Sequence, residues 1–167
     1  MISIVEKDWT DHHIERWLPV LPDLDPDIEA VVTRIKKVGD HLRKVRAQSL
    51  VDFDLQRHEF DTMHALAGQH GSAAPSELAE ILDIAPASVT GRVDGLVQRG
   101  YVDRVPSAKD RRRVDITLTE EGWAAWRGAM EVLGDEETRL LMTLSATERR
   151  ALSDYLRRIA LAAEAGT

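Results

Sequence analysis

Residues 75–104 read PSELAEILDIAPASVTGRVDGLVQRGYVDR, two short helical patterns with almost nothing between them. Leu78, Ala79 and Leu82 fall at i, i+1 and i+4, and Val89, Val93, Leu96 and Val97 at i, i+4, i+7 and i+8, each set marking one face of a helix. Asp83-Ile84-Ala85 leaves room only for a tight turn, Pro86 suits the first position of a helix, and Gly100 suits the residue after its end. The spacing predicts a helix over 76–82, a turn, and a helix over 86–99, which is a helix-turn-helix. Burying the four apolar residues of the second helix leaves Ala87, Ser88, Thr90 and Gly91 outward. Short side chains let a backbone come close to a partner, and the hydroxyls can bond base edges or phosphates, as a helix lying in a major groove must.

Immediately downstream, 101–105 alternates as a strand, 106–112 is polar, and 113–118 alternates again, so a hairpin with a charged tip is expected. Lys109, Arg111 and Arg112 make the tip basic, and Asp110 is placed to pin the Arg112 guanidinium. A twisted ribbon carrying such a tip beside a helix-turn-helix can drop an arginine into a narrow, electronegative minor groove. The whole chain carries a net charge of −7, which by itself argues against a nucleic-acid partner. Its distribution argues the other way: from Gly91 to Val114 seven cations face three carboxylates, a net +4, so the remainder carries −11.

The rest of the chain reads as helices around this centre. Thr10 or Asp11 is expected to cap a helix over 10–20 with Ile14, Trp17 and Leu18 on its inner face, ended by Pro19 and Pro22. Asp25-Pro26 opens a long helix over 26–50, in which Ile28, Val31, Val32, Ile35, Val38, Leu42 and Val45 repeat at helical spacing. A helix over 57–69 turns Phe60, Met63, His64 and Leu66 or Ala67 inward, and Gly71 is placed to stop it in a left-handed cap. Thr119 caps a helix to about Thr138, and Ser145-Ala146-Thr147-Glu148 is a capping box opening a last helix with Leu152, Tyr155, Leu156 and Ile159 on one side. The expected fold is mainly α with a small β-hairpin: one 167-residue domain whose lobe over 56–118 is a winged helix-turn-helix. The apolar stripes of 28–45 and 148–161 exceed what one chain can cover, so the helices over 26–50 and 120–163 are expected to pair two copies as a homodimer.

Several chemistries are disfavoured by composition. Cysteine is absent, which removes disulfides, thiolate metal sites and thiol-based sensing. The six histidines, His12, His13, His41, His58, His64 and His70, offer no i, i+4 pair to chelate a metal, and none is expected. No G-x-S-x-G, phosphate-binding glycine loop or other catalytic pattern is present, so neither an enzyme nor a cofactor is expected. No apolar run near the start suits a signal peptide and none later reaches ~18 residues, so a soluble, cytoplasmic protein that meets no membrane is expected.

The blocks Pro75-Ser76-Glu77-Leu78-Ala79, 88–96, Arg99-Gly100-Tyr101-Val102-Asp103-Arg104, Lys109-Asp110-Arg111-Arg112-Arg113 and Leu118-Thr119-Glu120-Glu121-Gly122 fall in the order and spacing of the MarR family of winged helix-turn-helix regulators, which the sequence resembles over about 56–125. That resemblance implies a dimer built from the N- and C-terminal helices, with double-stranded DNA as partner. The added helix with Arg16-Trp17, together with Pro22-Asp23-Leu24-Asp25 and Glu59-Phe60-Asp61, is similar to the urate-responsive branch of HucR, PecS and TamR type. In that branch the positions of Trp17, Asp61, Arg92 and Arg104 form the effector site, which implies a small anionic aromatic or purine-like ligand such as urate. A flat anion needs guanidinium groups for its charge and an aromatic face for its plane, and these residue types supply both. Asp61 is expected to pair with an arginine when no ligand is bound, Arg92 being the partner considered, either as a switch or as a fixed structural pair. Thr62-Met63-His64 and a short 67–74 segment depart from the branch pattern. A phenolic or metal effector, or constitutive DNA binding, stays open at this point.

Overall fold

The computed structural model describes residues 6–107 and 113–166, which form two compact units, residues 1–44 and 45–167, along one chain. Helix α1, Trp9–Trp17, starts earlier than its sequence suggests, because Asp8 and Asp11 cap it reciprocally: the Asp8 carboxylate accepts the Asp11 N–H at 3.0 Å and the Asp11 carboxylate accepts the Asp8 N–H at 2.9 Å. Helix α2, Pro26–Asp52, begins where Asp25-Pro26 places it, with the Asp25 carboxylate accepting the N–H groups of Asp27 and Ile28.

Within the first unit, Arg34 of α2 binds both capping carboxylates, Nε to Asp8 at 2.9 Å and Nη2 to Asp11 at 2.7 Å. Trp9 stacks on His13 with centroids 4.8 Å apart and takes the Lys37 ammonium on its face at 3.8 Å. The inner face of α1 is Thr10 and Ile14; Trp17 and Leu18, expected inward, are 41% and 36% exposed. The hydrogen bonds from Arg34, reinforced by the Asp11 N–H, hold the Asp8 carboxyl well below the ordinary carboxylate range. Because the folded-state value is the depressed one, the contribution to docking is complete above the unfolded value of about 4 and fades as pH falls below it. Hydrogen-exchange protection of residues 9–17 should therefore hold from neutral pH to about pH 4 and decline below, and Arg34→Gln should remove it at neutral pH. Protection that Arg34→Gln leaves intact would show that these carboxylates do not hold the helix.

The second unit comprises the end of α2, then α3 (Arg57–Gly68), β1 (Ser72–Ala73), α4 (Pro75–Leu82), α5 (Pro86–Gln98), β2 (Val102–Pro106), β3 (Val114–Leu118), α6 (Glu120–Leu141) and α7 (Ala146–Ala165). Its core is Met63 and Leu66 of α3, Leu78 of α4, Val89, Val93 and Leu96 of α5, Val102 of β2 and Ile116 of β3, all fully buried. These are the apolar stripes of the helix-turn-helix closed against one helix and a sheet.

The sheet has three antiparallel strands in the order β1-β3-β2, not the two of a simple hairpin. β2 and β3 pair from Val102↔Leu118 to Pro106↔Val114, while Ser72 and Ala73 pair with Thr117 and Ile116. A Ser72 to Thr117 hydroxyl contact of 2.9 Å closes that edge. The chain reaches this edge by a left-handed turn shared by His70 (φ 57°) and Gly71 (φ 90°), with the Gly71 N–H donating to the Leu66 carbonyl at 2.8 Å. Asp83, at φ 49°, makes the corresponding turn between α4 and α5.

Thr119 caps α6 as expected, but the helix runs to Leu141, past Thr138. Ser145 and Glu148 form the expected capping box of α7, which buries none of its residues. Among the described residues no helix is long and apolar enough to cross a membrane.

Candidate functional site

Helix α5 displays the face expected of it. Val89, Val93 and Leu96 are buried, and Ala87, Ser88, Thr90 and Gly91 are exposed on the opposite side. Its N-cap is Ala85, which supplies no side-chain cap, and Pro86 follows at the first helical position. The positive end of the helix dipole therefore lies at this exposed end of α5, an arrangement suited to a phosphate. The basic tip named from the sequence, Lys109, Asp110, Arg111 and Arg112, lies outside the described residues. The strands that would carry it, β2 and β3, are in place.

Two ion-pair groups fix α5. Arg104 of β2 donates Nη2 to Asp94 at 2.6 Å, tying the helix to the sheet. At the C-cap of α5, Arg99 donates Nη1 to Glu59 of α3 at 2.8 Å, Nη2 to Asp54 at 3.0 Å and Nη2 to the Tyr101 hydroxyl at 3.2 Å. The Glu59 carboxylate also accepts the Gln56 N–H at 2.8 Å as part of the capping of α3. Burial works against charge on Arg99, yet the attraction of Glu59, Tyr101 and Asp54 outweighs it and raises its pKa.

The proposed effector residues are only partly brought together. Asp61 pairs with an arginine, but the partner is Arg46 of α2, Nη2 to Oδ1 at 2.7 Å, with Arg57 of its own helix at 3.7 Å. The pair with Arg92 does not form. Arg46 is held beside Asp61 by its stacking over Phe60, 4.9 Å from guanidinium to ring centroid, and Arg57 is one turn away, so nearer cations take the carboxylate. Among the described residues Arg92 has no hydrogen bond or ion pair, and its side chain is half-buried on α5. Trp17 belongs to α1, in the unit of residues 1–44.

Arg46, Glu59, Asp94 and Arg99 were not singled out as site residues by their sequence. Glu59 is legible as the third helical residue after Gln56, a capping position, but its second partner lies forty residues away and leaves no local signal.

Residues 53–113 match the MarR family profile. The chain is 29% identical to the HTH-type transcriptional regulator PecS of Dickeya dadantii over 148 residues, covering 87% of this chain and 89% of PecS. It is 33% identical over 132 residues to the HTH-type transcriptional repressor NicR of Pseudomonas putida, covering 74% of this chain and 82% of NicR. The chain belongs to the MarR family. A MarR-family chain is a winged helix-turn-helix transcriptional regulator and not an enzyme, which accords with the α4-α5 pair and the sheet described above. The MepR–DNA complex of S. aureus shares the fold, with a TM-score of 0.63 over 76% of this chain and 95% of that one at 21% identity. In this MarR-family chain α4 and α5 are the two helices of the helix-turn-helix.

Proposed function

We propose that the chain is a ligand-responsive repressor that binds a pseudo-palindromic operator as a homodimer and is released by a small anionic aromatic or purine-like effector such as urate. The observation that carries the DNA-binding part is the exposed, short-chained face of α5, Ala87, Ser88, Thr90 and Gly91, on a helix whose C-terminal half is anchored by the Asp94 and Arg99 ion pairs. The segment between β2 and β3 carries the cations for this contact in its sequence, Lys109, Arg111 and Arg112, beside Asp110. Apolar residues of α2 and of α7 stand unburied, Ile28 and Tyr155 among them, and a second copy is their proposed cover. The repressor sign follows NicR, whose name states it.

The effector part rests on Trp17, Asp61, Arg92 and Arg104. Arg92 on the recognition helix is uncommitted among the described residues, and Arg104 holds Asp94 of the same helix, so an anion drawn to either would act on α5 directly. The assay is a gel shift on the chain's own promoter DNA in rising salt. Operator affinity should fall steeply with salt, and half-sites should lie about one helical turn apart, ~10 bp. Arg112→Ala should weaken binding about tenfold, roughly 1.4 kcal/mol, through loss of a minor-groove contact, whereas Ser88→Ala and Thr90→Ala should relax sequence preference more than affinity. Salt-insensitive binding, or wild-type affinity in Arg112→Ala, would reject this mode of DNA contact.

A further inference from the structure

Without cysteine, the only sulfur this chain can offer an oxidant is thioether. Among the described residues those thioethers are unequally placed. Met63 is fully buried, Met130 packs against the core, and Met142, the C-cap of α6, is 64% exposed. What sets Met142 apart from an ordinary surface methionine is the guanidinium beside it. Arg149 of α7 reaches back to the end of α6 with a single nitrogen: Nη1 donates to the Leu144 carbonyl at 2.5 Å and lies 3.4 Å from both the Leu141 carbonyl and the Met142 sulfur. Nη1 has two hydrogens for these three acceptors. The short bond takes one, so Leu141 and the sulfur share the other, and the Leu141 carbonyl already accepts the Leu144 N–H at 3.1 Å. A thioether is a poor acceptor, so this second hydrogen is weakly held.

We propose that Met142 is a site of reversible oxidation, and that Arg149 converts the oxidation into a bond across the turn from α6 to α7. The oxidant class is a peroxide. The sulfur lone pair attacks one peroxide oxygen, the O–O bond breaks as the S–O bond forms, and the departing hydroxide takes the proton of the transferred oxygen and leaves as water. Sulfur loses two electrons and the peroxide gains them. The product sulfoxide presents an oxygen, a far better acceptor than sulfur, on an atom already within reach of Nη1.

The balance of gains and losses differs from that of a core methionine. Oxidation there makes a packed apolar side chain polar and loosens its surroundings. At Met142 little packing is at stake, and a charge-assisted hydrogen bond is gained. Because α7 buries none of its residues, this turn governs where its unburied Leu152, Tyr155 and Leu156 are presented. A bond from the cap of α6 to Arg149 restrains the turn only while the sulfur is oxidised, and reduction of the sulfoxide releases it.

Hydrogen peroxide is the probe, applied to the full-length protein, with each methionine followed by peptide mass mapping. Met142 should take up one oxygen well before Met63 and Met130, and methionine sulfoxide reductases of both epimer specificities should together remove it. Melting midpoints before and after oxidation, in wild type and in Arg149→Leu, read the bond. Oxidation should move the wild-type midpoint upward, relative to its effect on Arg149→Leu, by about 2–4 °C. Arg149→Lys, with the charge but not the fork, should fall between, and carries the comparison if Arg149→Leu does not fold. In Met142→Leu, peroxide should leave the midpoint unchanged. Met142→Gln places an amide oxygen near the same spot without any oxidant, and its midpoint should depend on Arg149 in the same direction. Oxidation of Met63 or Met130 ahead of Met142 would overturn the site. An oxidation effect of equal size with and without the Arg149 guanidinium would overturn the bond.

Discussion

Gly122→Ala is expected to destabilise the protein by about 3 kcal/mol, one of the larger losses available to a single methyl group. A Cβ at this position would lie 2.0 Å from the carbonyl oxygen of Tyr101 and 2.9 Å from its carbon. That carbonyl is not free to retreat. It accepts the Thr119 N–H at 3.1 Å, while the Thr119 hydroxyl donates to the Gly100 carbonyl at 2.7 Å and accepts the Gly122 N–H at 3.0 Å. The start of α6 and the turn from α5 into β2 are therefore one hydrogen-bonded knot, and any outward shift breaks part of it. Gly95 is the control: inside α5, with nothing within 4 Å of its would-be Cβ, Gly95→Ala should raise stability by about 0.5–1 kcal/mol through the unfolded chain alone. Urea denaturation should show a lower midpoint at unchanged slope for Gly122→Ala and a higher one for Gly95→Ala. A Gly122→Ala midpoint equal to wild type would mean the two backbones are not locked together.

Gly122 also shows which parts of this protein were readable in advance. Its place in a Leu-Thr-Glu-Glu-Gly block pointed to a family, but only the approach of Tyr101 explains why the residue is glycine. The helix-turn-helix was legible because Leu78, Val89, Val93 and Leu96 repeat at helical period and a three-residue turn permits one arrangement. The outward set of Ala87, Ser88, Thr90 and Gly91 follows from that stripe by subtraction. β1 was not legible: two residues carry no period, and their pairing is decided by where the turn at His70 and Gly71 delivers them. The start of α1 was misplaced because Thr10 and Asp11 look like caps locally, whereas Asp8 and Asp11 satisfy each other and share Arg34 from another helix.

Pairing between distant charges was the least legible feature. An arginine partner for Asp61 could be expected from its chemistry, and the partner considered from the sequence was Arg92. The choice of Arg46 is made by the crossing of α2 and α3 and by the ring of Phe60. Sequence spacing reports which residues share a helix face and is silent about which helix lies opposite. The same silence hid the Arg104 to Asp94 tie and the Glu59 to Arg99 tie.

The last of these supports the second large effect. Arg99→Met should destabilise the fold by about 2–3 kcal/mol, because it strands the Glu59 carboxylate with only the Gln56 N–H for company. The figure sits below the full penalty for breaking a buried pair because the Arg99 side chain is 27% exposed, although Glu59 is only 7% exposed. Asp54, at 93% exposure, adds little. Glu59→Gln should cost less, since its amide oxygen can still accept from both partners. The double variant should lose less than the sum of the two, with a coupling energy of about 1 kcal/mol or more if the pair is as direct as its 2.8 Å contact. A DNA readout then separates anchoring from contact. If Arg99 only holds the end of α5, Arg99→Met should weaken operator binding while leaving the dependence of affinity on salt unchanged, because no phosphate partner is lost. A shallower salt dependence would make Arg99 a phosphate ligand. Additive stability losses would instead mean that Glu59 and Arg99 lie close without supporting each other, and the recognition helix would have to be held by its apolar face and the Arg104 to Asp94 pair alone.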